Sequence, residues 1–357
     1  MVNNAMGTVS AAVAAITAAA AAGISATLIV VLYPWLTRYA LAKPNARSSH
    51  RTPTPQGGGI AVIAAVTVVV GVAFGFRVLD AAPGSPLTAI IIAAALMSGI
   101  GTAGDLRDAR NPALHQPDRG ALPVGPRLLL QAVVVAGVIY ALPADLRIVP
   151  LLPFWLERAL LLLGGLWFVN LINFMDGLDW MTAAEVIPLT ASLVVLGTAH
   201  ALPPDATMVA LALGGAVLGF AYFNRPVARL FLGDAGSLPI GLLLGWLLLR
   251  LAAGGHLVAA IVLPLYSLAD ATITLLRRLS KAEPIWQAHR MHFYQIATER
   301  GFTVIEVVAR VFLLNICLGA LAVMTVLLPG KTSDVAALAG GGVLVAGLLF
   351  AFARGKT

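Results

Sequence analysis

Charge is what this chain has least of: Asp, Glu, Lys and Arg make up 11% of its 357 residues, against 59% hydrophobic. Soluble globular domains carry about a quarter charged residues, so that class is excluded, and a mean hydropathy of +0.92 excludes it again. Cysteine is nearly missing. Cys317 stands alone, which rules out an intramolecular disulfide and counts against redox chemistry; inside an apolar run it reads as a small core filler. Aromatic residues, 7% of the chain, are rarely interleaved with the basic ones, so the net charge of +7 does not describe a nucleic-acid surface. There is no internal repeat of the kind that builds many transporters, and no polar stretch long enough for a soluble domain.

What the chain has is long apolar runs. About eleven windows reach the roughly 17 to 25 residues needed to cross hydrocarbon, centred near Ile24, Val68, Ile92, Val134, Leu163, Leu193, Leu213, Leu244, Leu265, Leu318 and Val345. The expected fold is all-α: one polytopic helical membrane bundle over 1–357, with about ten to eleven transmembrane helices. The first run lacks a basic start and a small-residue cleavage site, so it reads as an anchor. Placing the amino terminus outside puts every Lys and Arg on the inner side except Arg77, Arg147, Arg158, Arg250, Lys331 and the span-borne Arg310. That bias predicts a cytoplasmic working face.

Five inner loops hold the chemistry. The first runs Arg47-Ser48-Ser49-His50-Arg51 to Gly57-Gly58-Gly59. Its cations, hydroxyls and glycine N–H groups suit a phosphate; a basic linker before a small-residue packing helix fits equally well. The second places Asp105 and Asp108 three apart, where a helix end laced by Arg107 and Arg110 is the favoured reading. In the third, Asn170 and Asn173 share a helical face, Gly177 is the expected left-handed stop, and Asp176 and Asp179 flank it. Hard oxygen ligands of this kind suit Mg²⁺, while carboxylates at a helix C-terminus oppose its dipole. The fourth carries Arg225 and Arg229, which could bind phosphate or lipid head groups, and Asp234, which could cap the next helix, a role compatible with ligand binding. The fifth holds His289, Arg290 and His292, suited to phosphate contact or hydrogen bonding more than to zinc, because no third ligand lies near in sequence. Glu306 and Arg310 are spaced for an ion pair within one helix. Asp270, near mid-span, needs a polar partner and is left between a site role and a structural one.

Together and in order, these motifs resemble the polyprenyl-phosphate N-acetylhexosamine-1-phosphate transferases, the superfamily that includes phospho-N-acetylmuramoyl-pentapeptide transferase. The resemblance spans 43–295. It implies a cytoplasmic-side site at the bacterial inner membrane, with Asp105, Asp176 and Asp179 catalytic and Asp176, Asp179 and Asp234 toward Mg²⁺, or Mn²⁺ in its place. Arg47, His50, Arg51, Asn170, Asn173, Asp234, His289, Arg290 and His292 would bind substrate. Two positions depart from the pattern. Gly104 stands where a second adjacent aspartate is usual, and Trp180 where glycine usually follows the motif's second aspartate.

The implied reaction moves N-acetylhexosamine-1-phosphate from a UDP-sugar to undecaprenyl phosphate, releasing UMP and starting an O-antigen-type, lipopolysaccharide-linked envelope polymer. A homodimer is compatible with it. Alternatives are the muramoyl-pentapeptide reaction of peptidoglycan synthesis, an inactive scaffolding homologue, and, from another class, an ion-coupled transporter using Asp270 and Arg310.

Overall fold

The computed structural model describes residues 10–42, 53–75, 85–110, 124–284 and 289–356. Among these, thirteen helices follow one another: α1 (Ala11–Tyr39), α2 (Gly58–Gly75), α3 (Pro86–Arg110), α4 (Val124–Tyr140), α5 (Phe154–Met175), α6 (Met181–Thr198), α7 (Pro204–Ala221), α8 (Asp234–Ala253), α9 (Leu257–Val262), α10 (Leu265–Ser280), α11 (Phe293–Glu299), α12 (Val304–Leu327) and α13 (Lys331–Arg354). A two-residue antiparallel pairing, β1 (Leu41–Ala42) with β2 (Thr54–Pro55), links α1 to α2. The chain is an integral multi-pass helical membrane protein: nine of the described helices are long and apolar enough to span a bilayer, and α4 adds a shorter apolar one. Helices are what such composition dictates, since a backbone in hydrocarbon must satisfy its own polar groups.

All eleven predicted centres fall on helices. The window near Leu265 is not one continuous span, however. It breaks at Leu263–Pro264 into α9 and α10, because proline supplies no N–H to continue the ladder.

The core is organised around α8, where 83% of the most apolar window is buried, against 22% in α1 and 28% in α13. It packs against α2, α3, α5, α7 and α9. Small residues permit this closeness: a Cβ on Gly59 would collide with the backbone of Gly236, and one on Gly101 with the backbone of Asp234. The same device joins α1 to α7, where Gly215 and Gly219 lie against the Ala18 and Ala22 backbone, the small-residue spacing that lets membrane helices approach.

Two expectations at the periphery are corrected. Cys317 is exposed on the flank of α12 and fills no core, because the face of α12 that packs inward carries Leu314 and Leu318 instead. Glu306 does not pair with Arg310; its carboxylate takes the Thr303 N–H at 2.8 Å in a capping box and pairs with Lys356 at 2.8 Å. Arg310 instead donates to the Glu306 carbonyl at 3.0 Å and lies over the Phe302 ring.

Candidate active site

Connections far apart in sequence meet at one end of the bundle. The Gln56 amide donates to the Asp105 carbonyl at 3.0 Å, and the Gly58 and Gly59 N–H groups donate to Phe231 and Leu232 at 3.0 and 2.9 Å. Ala228 N–H donates to Asp179 at 3.0 Å, and the Tyr294 hydroxyl to the Phe174 carbonyl at 2.9 Å. Of the two readings open for the first loop's glycines, packing therefore holds at Gly58 and Gly59, since their N–H groups are engaged by protein carbonyls. Arg47, His50 and Arg51 lie outside the described residues.

Asp234 is the node. Gly233, at φ +74°, is the N-cap of α8, so Asp234 is the first residue of the helix and does not cap it as expected. The cap comes from α3. Asp105 accepts the Asp234 N–H at 3.1 Å and the Ala235 N–H at 3.0 Å, one on each oxygen. A helix N-terminus presents unsatisfied donors and positive dipole charge, and a buried carboxylate answers both. Asp105 is only 7% exposed, so the lacing by arginine expected at this helix end is not its role, and its oxygens face protein. Asp108 is exposed.

The Asp234 side chain then faces the site. It accepts from the Asn173 amide at 2.7 Å, which also donates to Ser237 at 2.7 Å, and it pairs with Arg127 of α4 at 2.9 Å. A Cβ on Gly104 would meet only the Asp234 carboxylate, at 3.8 Å. The usual second aspartate would thus stand against Asp234, like charge on like. In sequence Arg127 shows only as one of the inner-side cations; its site role is signalled by Gln131, one helical turn on along α4, which accepts from the Asn170 amide.

Asp176 caps the C-terminus of α5 and accepts the Thr182 hydroxyl at 2.5 Å. Burial is the main reason its pKa rises, to about 6; the Thr182 hydrogen bond pulls the other way, and the charges of Asp234 and Asp179 push it further up. Asp176 and Asp234 therefore share one field. Gly177 is not in the left-handed region; it is glycine because the Tyr294 hydroxyl occupies the space a Cβ would take. The left-handed residue is Trp180, at φ +63°. That conformation explains the glycine usual there, and Trp180 holds it by donating its N–H to Asn224 at 2.8 Å and its indole N–H to the Ala221 carbonyl at 2.7 Å.

The fifth loop arrives through α11. His292 packs beside Phe174 and on Tyr294, with ring centroids 6.1 and 5.8 Å apart, and the His289 ring lies tilted against it at 4.9 Å. Arg290 pairs with Glu299 at 3.6 Å. Asp270, unassigned by sequence, lies 3.1 Å from His292 Nδ1. Asn170 is not brought to the carboxylates: its amide donates to Gln131 and to the Leu166 carbonyl, both at 2.8 Å, tying α5 to α4. Among the described residues no group of three His, Cys, Asp or Glu side chains is assembled to hold an ion by itself.

The fold is an integral-membrane helical bundle with carboxylates, an amide and an arginine gathered at one end, and sequence comparison shows what it is similar to. The sequence profile of glycosyl transferase family 4 matches residues 87–252. The chain is 26% identical over 288 residues to the probable undecaprenyl-phosphate N-acetylglucosaminyl 1-phosphate transferase of Bacillus subtilis, covering 76% of this chain and 74% of that protein. It is 26% identical to the decaprenyl-phosphate N-acetylglucosaminephosphotransferase of Mycobacterium leprae, over 77% and 74% of the two chains. It is also 27% identical to the phospho-N-acetylmuramoyl-pentapeptide-transferase of Heliobacterium modesticaldum, over 59% and 68%. Over about three quarters of its length the chain is thus similar to polyprenyl-phosphate sugar-phosphate transferases.

Proposed function

We propose that this protein is a transferase that moves N-acetylhexosamine-1-phosphate from a UDP-sugar to undecaprenyl phosphate on the cytoplasmic face of the bacterial inner membrane, starting a lipid-linked envelope polysaccharide of O-antigen type. The observation that carries it is the meeting of Asp176, Asp179, Asp234, Asn173 and Arg127 at one end of the bundle, with His292 packed on Phe174, two residues before Asp176. Charge of both signs at a membrane edge suits two phosphorylated substrates, one arriving from lipid and one from water.

An acceptor phosphate oxygen forms a bond to the sugar-bearing phosphorus of the UDP-sugar, and the bond from that phosphorus to the bridging oxygen breaks. UMP leaves with the electron pair, and the anomeric bond stays intact. A phosphate monoester is already mostly dianionic at neutral pH, so no strong base is required, and the missing carboxylate at Gly104 is tolerable. Positioning and charge stabilisation dominate phosphoryl transfer.

The donor set fits Mg²⁺, which takes one or two carboxylates plus waters and substrate phosphates and needs no three-residue protein cluster. Asp176 and Asp234, close enough to repel, would hold it with Asp179 beside them, and when bound it would screen the phosphates' charge. Arg127 neutralises Asp234, and Asn173 fixes that carboxylate's orientation.

A second reading, transfer of phospho-N-acetylmuramoyl-pentapeptide, is supported by relatives that carry that name. A panel of UDP-N-acetylhexosamines and UDP-N-acetylmuramoyl-pentapeptide, scored by UMP release onto undecaprenyl phosphate, separates the two. Turnover confined to the pentapeptide substrate overturns the first.

A further inference from the structure

Asp270 on α10 is fully buried, with 0% exposure, and the transfer described above makes no use of it. Its carboxylate gathers donors from two elements. One oxygen accepts the Phe293 N–H at 3.0 Å and the Thr274 hydroxyl at 3.4 Å; the other accepts the Tyr294 N–H and the Tyr266 hydroxyl, both at 3.3 Å. His292 Nδ1 completes the set at 3.1 Å from the first oxygen. A carboxylate that already serves four donors is an acceptor, so the imidazole nitrogen facing it must donate too. The tautomer follows from that accounting: the neutral ring carries its proton on Nδ1, and Nε2 is the nitrogen left for a ligand.

The ring itself is held in place, 4% exposed, between Phe174 and Tyr294. Phe174 is two residues from Asp176 in the chain, so this ring contact ties His292 to the C-terminal end of α5, where Asp176 follows.

We propose that Asp270 is a positioning residue for the sugar-phosphate transfer, acting through His292. It holds Nδ1–H and the ring plane, so that Nε2, on taking up a proton from water as the anionic nucleotide-sugar binds, donates to a diphosphate oxygen, and the resulting imidazolium stands between two anions. The inference rests on the proposed transfer for its substrate, and on hydrogen bonding alone for its tautomer.

Two measurements test it. In ¹⁵N-histidine-labelled protein without substrate, the His292 signals, assigned by their loss in His292→Gln, should report the Nδ1–H form, and Asp270→Asn should abolish that preference. In turnover, Asp270→Asn should lower kcat/KM for the UDP-sugar about 10- to 100-fold, leave KM for the polyprenyl phosphate unchanged, and add nothing further in a His292→Gln background. A purely structural role would multiply the two losses. An Nε2–H tautomer in the wild-type protein, wild-type turnover in Asp270→Asn, or multiplied losses would each overturn the proposal. Absence of UMP release by the wild-type protein with every UDP-sugar would overturn the transfer instead, while the ¹⁵N signals still decide whether Asp270 holds Nδ1–H.

Discussion

The Asp105 carboxylate accepts the backbone N–H of Asp234 at 3.1 Å, across 129 residues of sequence. One acidic residue thereby holds another in place: the first closes the N-terminus of α8, and the second turns its side chain to the site. Asp270 does the same for α11, taking two of its N–H groups beside His292. In both cases a buried acidic residue serves as the cap of a helix it does not belong to.

Asp105→Ala should therefore act on stability as well as rate. Loss of hydrogen bonds to a buried charged group costs about 1.5–3 kcal/mol, and a lowered Tm in detergent should accompany the fall in turnover. Loss of turnover with an unchanged Tm would show Asp105 to be a reacting group and not a cap.

Glycines nearby divide into two kinds. Gly104→Ala meets only ordinary contact and should stabilise by about 0.5–1 kcal/mol, the helix cost of glycine. Gly59→Ala collides with the Gly236 backbone and should abolish folding or expression. Thermal unfolding and yield of the two variants check this contrast.

At Trp180 the usual order of substitutions should invert. Trp180→Ala loses the indole hydrogen bond and keeps the unfavourable φ of +63°; Trp180→Gly loses the same bond and is relieved of a strain of about 1–2 kcal/mol. The glycine variant should be the more stable of the two in denaturant titration, although glycine is ordinarily the worse residue.

Much of this was legible in the chain. Spans could be placed because each apolar run is long and bounded by basic or proline-marked loops, and the loops could be assigned to one side because charge alternates with them. The break at Pro264 is invisible to hydropathy, which averages over a proline. Sequence shows only local neighbours and so offers Asp234 as a cap, whereas the carboxylate that takes the N–H groups of α8 lies on another helix. Arg127 was counted only as topology, since its partner Asp234 is brought near by the packing of α3, α4, α5 and α8.

Metal dependence should vary with pH in a direction set by Asp176. Burial raises its pKa to about 6, so the protonated acid is favoured: the stability it contributes is full below the ordinary carboxylate value and is lost as pH rises through about 6. Cation binding needs the ionised form and has the opposite sense. The Mg²⁺ concentration for half-maximal activity should climb as pH falls below about 6. Thr182→Val, which removes the hydrogen bond that lowers this pKa, should move that rise to higher pH.

Arg127→Gln should leave Tm nearly unchanged, because a partly exposed ion pair contributes about 1 kcal/mol or less, while turnover falls. Equal turnover would remove Arg127 from the site.

The most direct test of the whole account is UMP release by the purified protein in detergent, supplied with undecaprenyl phosphate and a UDP-N-acetylhexosamine. The account predicts UMP only when both substrates and Mg²⁺ or Mn²⁺ are present, and a loss of orders of magnitude in a folded Asp179→Asn variant. Full turnover in that variant, or undiminished release in the presence of a chelator, would contradict it.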